Sequence, residues 1–371
     1  MGVNTHFIAT ICAMILTVVA VVVATPTTIP NDAASHLRDV SKSLDIFGTK
    51  LYSKIATQSG RKNIIFSPFS IETSLAITRL GASGQTAEEI DQGLSLKFNN
   101  GVKLANYFQE ILAAYQTSDL LQMANKVYVM ENFELYDQYK ELLAKNFYTS
   151  AENLNFTQNI KAAETINSWV ASKTHQLIKD LIAADDLDER TRMVLLNAIY
   201  FNGEWLVRFH EQATFQKPFY VDATNSVDVA MMQTHGEFRY GQIDQLDASA
   251  LEMRYKNSDL YMLIILPNAR DGLEDLRIKL QSYSLEELRA GMVETKVLVE
   301  MPKFAAEYKI ELKEILKSLG IERMFSADAE LTKMVKGKFE VTKVLHKASI
   351  AVNEKGTEAA AATVLGIEKI I

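Results

Sequence analysis

Over the first two-fifths of this chain, apolar residues recur at three- and four-residue spacing, and later they gather into short, nearly continuous runs. The spacing predicts helices over Ala33–Ile55, Ser70–Leu80, Thr86–Leu94 and Val102–Tyr115, punctuated by Ser67-Pro68 and Ser83-Gly84. Met193–Phe201, Leu260–Leu266, Lys296–Phe304 and Phe339–Val352 are rich in β-formers and read as strands. Several of them are too apolar to keep one face in water, which puts them in the buried middle of a large sheet. Helical spacing returns at Ala162–Leu181, Leu285–Ala290 and Ile310–Leu319. Helices first and strands later predict an α+β fold, not alternating βαβ units. No repeat, low-complexity tract or Gly/Ser linker breaks the pattern, so residues 25–371 read as a single domain.

The first 24 residues stand apart, because Met1–Ala24 contains no Asp, Glu, Lys or Arg. Val22-Val23-Ala24 offers small residues at signal-peptidase spacing, and a polar stretch begins at Thr25. The segment reads as a cleaved signal peptide, which predicts a secreted, extracellular protein with no membrane attachment once it is removed. A transmembrane anchor is the alternative, since Phe7–Ala24 nearly spans a bilayer and no positive n-region precedes it. No stop-transfer charges follow Ala24, which favours cleavage. Cys12 is the only cysteine and lies inside this segment, so the remaining chain has no thiolate chemistry and no disulfide. A domain of this size can rest on its apolar core alone.

Composition narrows the function classes. At 48% apolar and 23% charged the chain is an ordinary globular protein, and its net charge of -7 gives no basic surplus for nucleic acid. The segment Asn99–Gln116 holds only Lys103 as a base, which argues against a sulfated-polysaccharide stripe there. GxSxG, Walker, HExxH and strand-flanked GxGxxG patterns are all missing, and the six histidines show no ligand spacing. The reading is therefore a non-enzyme with no metal and no cofactor. Ser67 and His346 read as a buried hydroxyl and imidazole that satisfy each other, since Ser67 lacks the Gly-flanked elbow of a nucleophile. Asn155-Phe156-Thr157 is an N-glycosylation sequon.

The last 32 residues are the most informative. Lys343–Val352 reads as a strand that Asn353-Glu354-Lys355-Gly356 breaks. The following Thr357-Glu358-Ala359-Ala360-Ala361-Ala362-Thr363 permits two readings. Alanine is the best helix former and Thr357 a fair cap, which favours a helix. Read at period two, Thr357, Ala359, Ala361 and Thr363 form a small, uncharged face, with Glu358 on the other. A strand with such a face can enter between two others without overpacking or burying a charge.

This hinge closely resembles that of the serpins, and further blocks extend the resemblance over nearly the whole chain. They are Asn63–Ile71, Leu80-Gly81-Ala82, Ile166–Val170, Leu196–Trp205, Met231-Met232, Leu263–Pro267, Met301–Phe304 and Leu319–Ile321. The resemblance implies an α+β serpin fold of three β-sheets and about nine helices, with an exposed reactive-centre loop. It implies a monomeric suicide inhibitor: a serine protease attacks the loop, forms an acyl-enzyme, and is trapped when the cut loop enters the central sheet. Carried over by residue, Ser67, Ser70, Asn197 and His346 match the family's shutter, and Trp205, Lys303 and Glu354 its breach. The hinge is Glu354, Gly356, Thr357, Glu358, Ala359, Ala360, Ala361, Ala362 and Thr363. Loop length places the reactive bond at Ile370-Ile371, which suits an elastase-like target, or at Lys369-Ile370, which suits a trypsin-like one.

Serpins continue beyond the reactive bond, so the resemblance implies a chain truncated at or near it, without the family's C-terminal strands. Gln176, Leu177 and Asn202 depart from the family pattern away from the mechanism. Two rivals remain open: a non-inhibitory carrier or chaperone of the family, and an inactive truncated form. Carriers often place proline or bulky residues in the hinge, and Gly356–Thr363 has neither.

Overall fold

The computed structural model describes residues 8–9, 31–60, 62–97, 100–115, 120–176, 178–283 and 285–358. Its helices are α1 (Asn31–Ser59), α2 (Pro68–Gly81), α3 (Gly84–Gly93), α4 (Gly101–Tyr115), α5 (Asp137–Phe147), α6 (Asn159–Lys173), α7 (Leu273–Leu280), α8 (Leu285–Ala290) and α9 (Lys313–Ser318). Its strands are β1 (Ile8–Ala9), β2 (Leu121–Met130), β3 (Ala151–Leu154), β4 (Met193–Phe201), β5 (Gly203–Glu204), β6 (Phe215–Tyr220) and β7 (Ser226–Ile243). They continue with β8 (Ala248–Arg254), β9 (Tyr261–Pro267), β10 (Val293–Pro302), β11 (Phe304–Glu311), β12 (Lys343–Val352) and β13 (Gly356–Glu358).

The strands form two hydrogen-bonded networks. A seven-stranded sheet runs β3-β2-β4-β12-β13-β5, with β11 along the other side of β12. A six-stranded network runs β1-β10-β7-β8-β9, with β6 also on β7. Two of the three expected sheets are continuous in it, because the 18-residue β7 pairs with β6 near its start and with β8 near its end.

The seven-stranded sheet is covered on both faces, which explains the apolar run Met193–Leu196 that opens β4. Met193 and Leu195 pack into the core that contains Ile71, Leu75 and Phe108 of α2 and α4. Val194, Leu196 and Ala198 pack on the other face, with Ile166 and Val170 of α6. With neither face wet, polar alternation disappears. Helix α2 starts where it does because Ser67 caps it: the Ser67 hydroxyl accepts the Ser70 N–H at 3.2 Å, and Pro68 occupies the first helical position.

Some sequence expectations shift. The helix expected through Leu181 stops at Lys173, because His175 and Gln176 take left-handed backbone angles (φ 50° and 66°) and Gln176 N–H closes on Ala171 O at 2.8 Å. Ile310 does not open a helix; it is the next-to-last residue of β11, paired with His346 of β12, and α9 begins three residues later at Lys313. Residues 339–342 precede the strand expected from Phe339, which starts at Lys343. Of the segment Thr357–Thr363, Thr357 and Glu358 belong to a strand, and Ala359, Ala360, Ala361, Ala362 and Thr363 lie outside the described residues. So do Lys369, Ile370 and Ile371 and most of Met1–Ala24. Among the described residues no helix is long and apolar enough to cross a membrane.

Candidate functional site

The site begins where β12 ends. Asn353 Oδ1 accepts the backbone N–H groups of Lys355 (2.9 Å) and Gly356 (3.1 Å), and Asn353 N–H donates to Gly356 O at 2.9 Å. This side-chain-stabilised turn sends the chain back along β12, where Val352 pairs with Thr357 and Ala351 with Glu358. The other edge of β13 pairs with β5, Gly356 opposite Glu204 and Thr357 opposite Gly203. Residues 356–358 thus occupy the head of the sheet, between β12 and β5.

Two glycines make this approach possible. A Cβ on Gly356 would collide with the Gly203 carbonyl and lie 2.9 Å from Glu204 Cα, while one on Gly203 would lie 2.6 Å from the Tyr255 ring. Gly356→Ala is therefore expected to weaken hinge docking by about 1–3 kcal/mol, the usual scale of forced overpacking. Hydrogen exchange of residues 354–358 should accelerate in this variant, and unchanged exchange would show that the close approach is not needed.

Aromatic and charged groups hold the turn. Trp205 is buried, stacks on Tyr255 with ring centroids 4.7 Å apart, and donates its Nε1–H to Asn353 O at 3.0 Å. Its backbone N–H donates to Lys355 O at 2.9 Å, and Phe209 N–H donates to Glu354 O at 3.0 Å. The Tyr255 hydroxyl meets Thr357 Oγ1 at 2.8 Å. Burial raises the Tyr255 phenol above its ordinary pKa, and the Thr357 bond offsets part of that. The Glu354 carboxylate receives Lys303 Nζ at 3.0 Å and Thr214 Oγ1 at 2.9 Å. Burial alone would raise the Glu354 pKa, but its own N–H, Lys303 and Thr214 outweigh burial and hold it below the ordinary value. The stabilisation from this carboxylate is present above the ordinary carboxylate range and fades as pH falls through the lowered value.

A second polar cluster lies under the same sheet. His346 on β12 is the direct register partner of Asn197 on the parallel strand β4, and both are fully buried. The His346 Nδ1–H donates to Asn197 Oδ1, and His346 Nε2 accepts the Ser67 N–H at 3.1 Å. That pairing fixes the neutral tautomer carrying its proton on Nδ1. Asn197 Nδ2 donates to the Ser70 carbonyl, to Asn125 Oδ1 at 2.6 Å and to Ser74 Oγ at 3.4 Å. The cluster ties α2, β2, β4 and β12 together. Burial lowers the His346 pKa to about 3, which keeps the ring neutral.

The structure brings together all of Trp205, Lys303 and Glu354, and all of Ser67, Ser70, Asn197 and His346. Sequence reasoning missed Thr214, Tyr255, Asn353 and Gly203 at the head, and Asn125 and Ser74 below. Asn353 carries a usable signal, an Asn three residues before a Gly. Asn155 directly follows β3, where its Nδ2 donates to Glu131 Oε1 at 2.6 Å and its Oδ1 accepts the Thr157 hydroxyl at 2.5 Å.

Comparisons with known proteins agree with this architecture. A family profile described as Serpin (serine protease inhibitor) matches residues 42–370. Antichymotrypsin-2 of Bombyx mori is 32% identical over 90% of this chain and 90% of its own length. Antitrypsin of Bombyx mori is 32% identical over 89% of this chain and 85% of its own. Among solved structures, cleaved Serpin 42Da superposes with a TM-score of 0.83 at 43% identity, covering 87% of this chain and 88% of its own.

Proposed function

The chain belongs to the serpin family of serine protease inhibitors, and from that premise we propose that it is a secreted, single-use inhibitor working by hinge insertion. The observation that carries this reading is β13, already paired between β12 and β5 while β12 and β4 close the sheet below it. A target protease attacks the loop at Ile370-Ile371, or at Lys369-Ile370. Its serine forms an ester with the carbonyl on the near side, and the amine of the far side leaves. The freed segment continues β13 down between β4 and β12, adding a ladder of backbone hydrogen bonds. The parallel pairing from Lys343 to Ala348 must part for this, and with it the His346–Asn197 bond. The released barrier makes the transition one-way, so that the uninserted state is kinetically held. The stretch Gly356–Thr363, free of proline and small at every position except Glu358, supports inhibition over a carrier role.

The test is complex formation by the full-length protein against a panel of trypsin-like and elastase-like proteases. Inhibition predicts an SDS-stable one-to-one complex with at least one panel member and cleavage at residue 369 or 370. Simple hydrolysis of the loop by every member, with no stable complex, would overturn the reading.

Location has a separate check. Removal of residues 1–24 predicts a secreted chain beginning near Thr25. Enzymatic deglycosylation should lower its mass, and Asn155→Gln should abolish the shift. Intact Met1 recovered in a membrane pellet would count against secretion.

A further inference from the structure

The six histidines look scattered along the sequence, yet folding brings two of them together. His210, in the connection from β5 to β6, and His235, on β7, have ring centroids 6.3 Å apart with planes inclined by 38°. Both residues are exposed. Backbone contacts build the approach: His210 N–H donates to Gln233 O at 3.3 Å, and Thr234 Oγ1 donates to Arg208 O at 2.9 Å. Residues 208–210 are thereby laid beside β7. His235 falls on the open side of that strand, since its neighbour Thr234 and also Met232 and Phe238 are buried. Neither imidazole makes a hydrogen bond to the protein among the described residues.

The separation suits a shared metal ion. With imidazole–metal bonds of about 2.0–2.1 Å, an ion held by one nitrogen of each ring lies about 3.2 Å from each centroid, so two ligating rings span at most about 6.4 Å. The observed 6.3 Å sits at the open end of that range, and small rotations of two exposed side chains bring it to tetrahedral spacing. We propose that His210 and His235 form a two-histidine chelate for a divalent first-row transition metal (Zn²⁺, Cu²⁺ or Ni²⁺). Two neutral nitrogen ligands select these ions over Ca²⁺ and Mg²⁺, which require oxygen. No third His, Cys, Asp or Glu completes the set among the described residues, so water fills the remaining positions. His346 cannot compete, because it is fully buried.

The chelate also reaches the hinge. Phe209, next to His210, donates its N–H to Glu354 O, and Thr214, just past the 3-10 turn Glu211–Ala213, holds the Glu354 carboxylate. Fixing His210 to β7 therefore steadies the loop that holds the hinge turn. Metal binding is independent of protease inhibition, whereas any effect on inhibition rests on the function proposed above.

The test uses the full chain and its His210→Asn and His235→Asn variants, both at exposed positions where the fold should tolerate them. Calorimetric titration with Zn²⁺ should show saturable one-to-one binding that weakens at least about tenfold in either variant, on the scale of losing part of a ligand set. Cu²⁺ electron paramagnetic resonance should show coupling to two imidazole nitrogens in the parent chain and to one in each variant. In the parent chain Zn²⁺ should slow hydrogen exchange at residues 354–358. Binding that is absent, or equal in all three proteins, overturns the site. A two-nitrogen spectrum with unchanged exchange at the hinge overturns the coupling while leaving the site intact.

Discussion

Thr357→Arg should convert the protein from an inhibitor into a substrate. Thr357 is 1% exposed, sits in the first inserted rung opposite Val352 and Gly203, and meets the Tyr255 hydroxyl. An arginine there must either bury a charge among Trp205, Tyr255 and the glycine pair, or stay outside and withdraw β13 from the sheet. An unpaired buried charge costs several kcal/mol. If about 3 kcal/mol of that falls on the insertion barrier, insertion slows on the order of a hundredfold. Deacylation then overtakes trapping. The expected result is normal loop cleavage with a steep rise in the moles of inhibitor consumed per protease inactivated. SDS-stable complexes at the parent stoichiometry would show that this segment does not insert. Thr357→Ser, which keeps the hydroxyl, should behave as the parent.

The second large effect concerns acid. His346 has a pKa near 3 in the folded protein because burial disfavours the charged ring, against an ordinary 6.5. The unfolded chain therefore takes up a proton below about 6.5 while the folded one does not, so stability is complete above that value and falls as pH drops towards the folded pKa. The slope is about 1.4 kcal/mol per pH unit, or about 2 kcal/mol between pH 6.5 and 5. Glu72 works in the opposite sense. It is buried with Oε1 unpartnered, and burial, then the charge of Asp45, raises its pKa, so lower pH favours its folded, neutral form. The variant His346→Gln separates the two. A glutamine can donate to Asn197 Oδ1 and accept from Ser67 N–H without titrating.

Denaturant midpoints for the parent should fall between pH 6.5 and 5 more steeply than for His346→Gln. Equal slopes would remove His346 as the cause. His346→Ala should lower stability at neutral pH by about 1–3 kcal/mol for each polar group left buried without a partner. Because the His346–Asn197 bond spans the two strands that the proposed insertion parts, the same variant should also speed spontaneous insertion of the hinge. That is measurable as loss of inhibitory activity on mild heating.

What the sequence determined by itself was the local physics. The apolar run of Met193–Leu196 required cover on both faces, and α2 and α6 supply it. Ser67-Pro68 marked the start of α2 because a capping hydroxyl and a residue without N–H suit only that place. The small uncharged face that starts at Thr357 allowed a strand, and Thr357 and Glu358 form one.

The tertiary structure decided what depends on partners far apart in the chain. Thr357 read locally as a fair helix cap, yet the edges of β12 and β5 give Gly356–Glu358 the hydrogen bonds of a strand, which local propensity cannot anticipate. Asn197 and His346 lie 149 positions apart, and only the parallel register of β4 with β12 makes them neighbours. Thr214 and Tyr255 reach the hinge because loops cross the head of the sheet, and no periodicity encodes such a crossing. The histidines at 210 and 235 are likewise joined by the backbone of Arg208–His210 lying along β7. Local sequence sets which conformations each segment tolerates, while the close-packed sheet and its non-local hydrogen bonds select among them and choose which side chains meet.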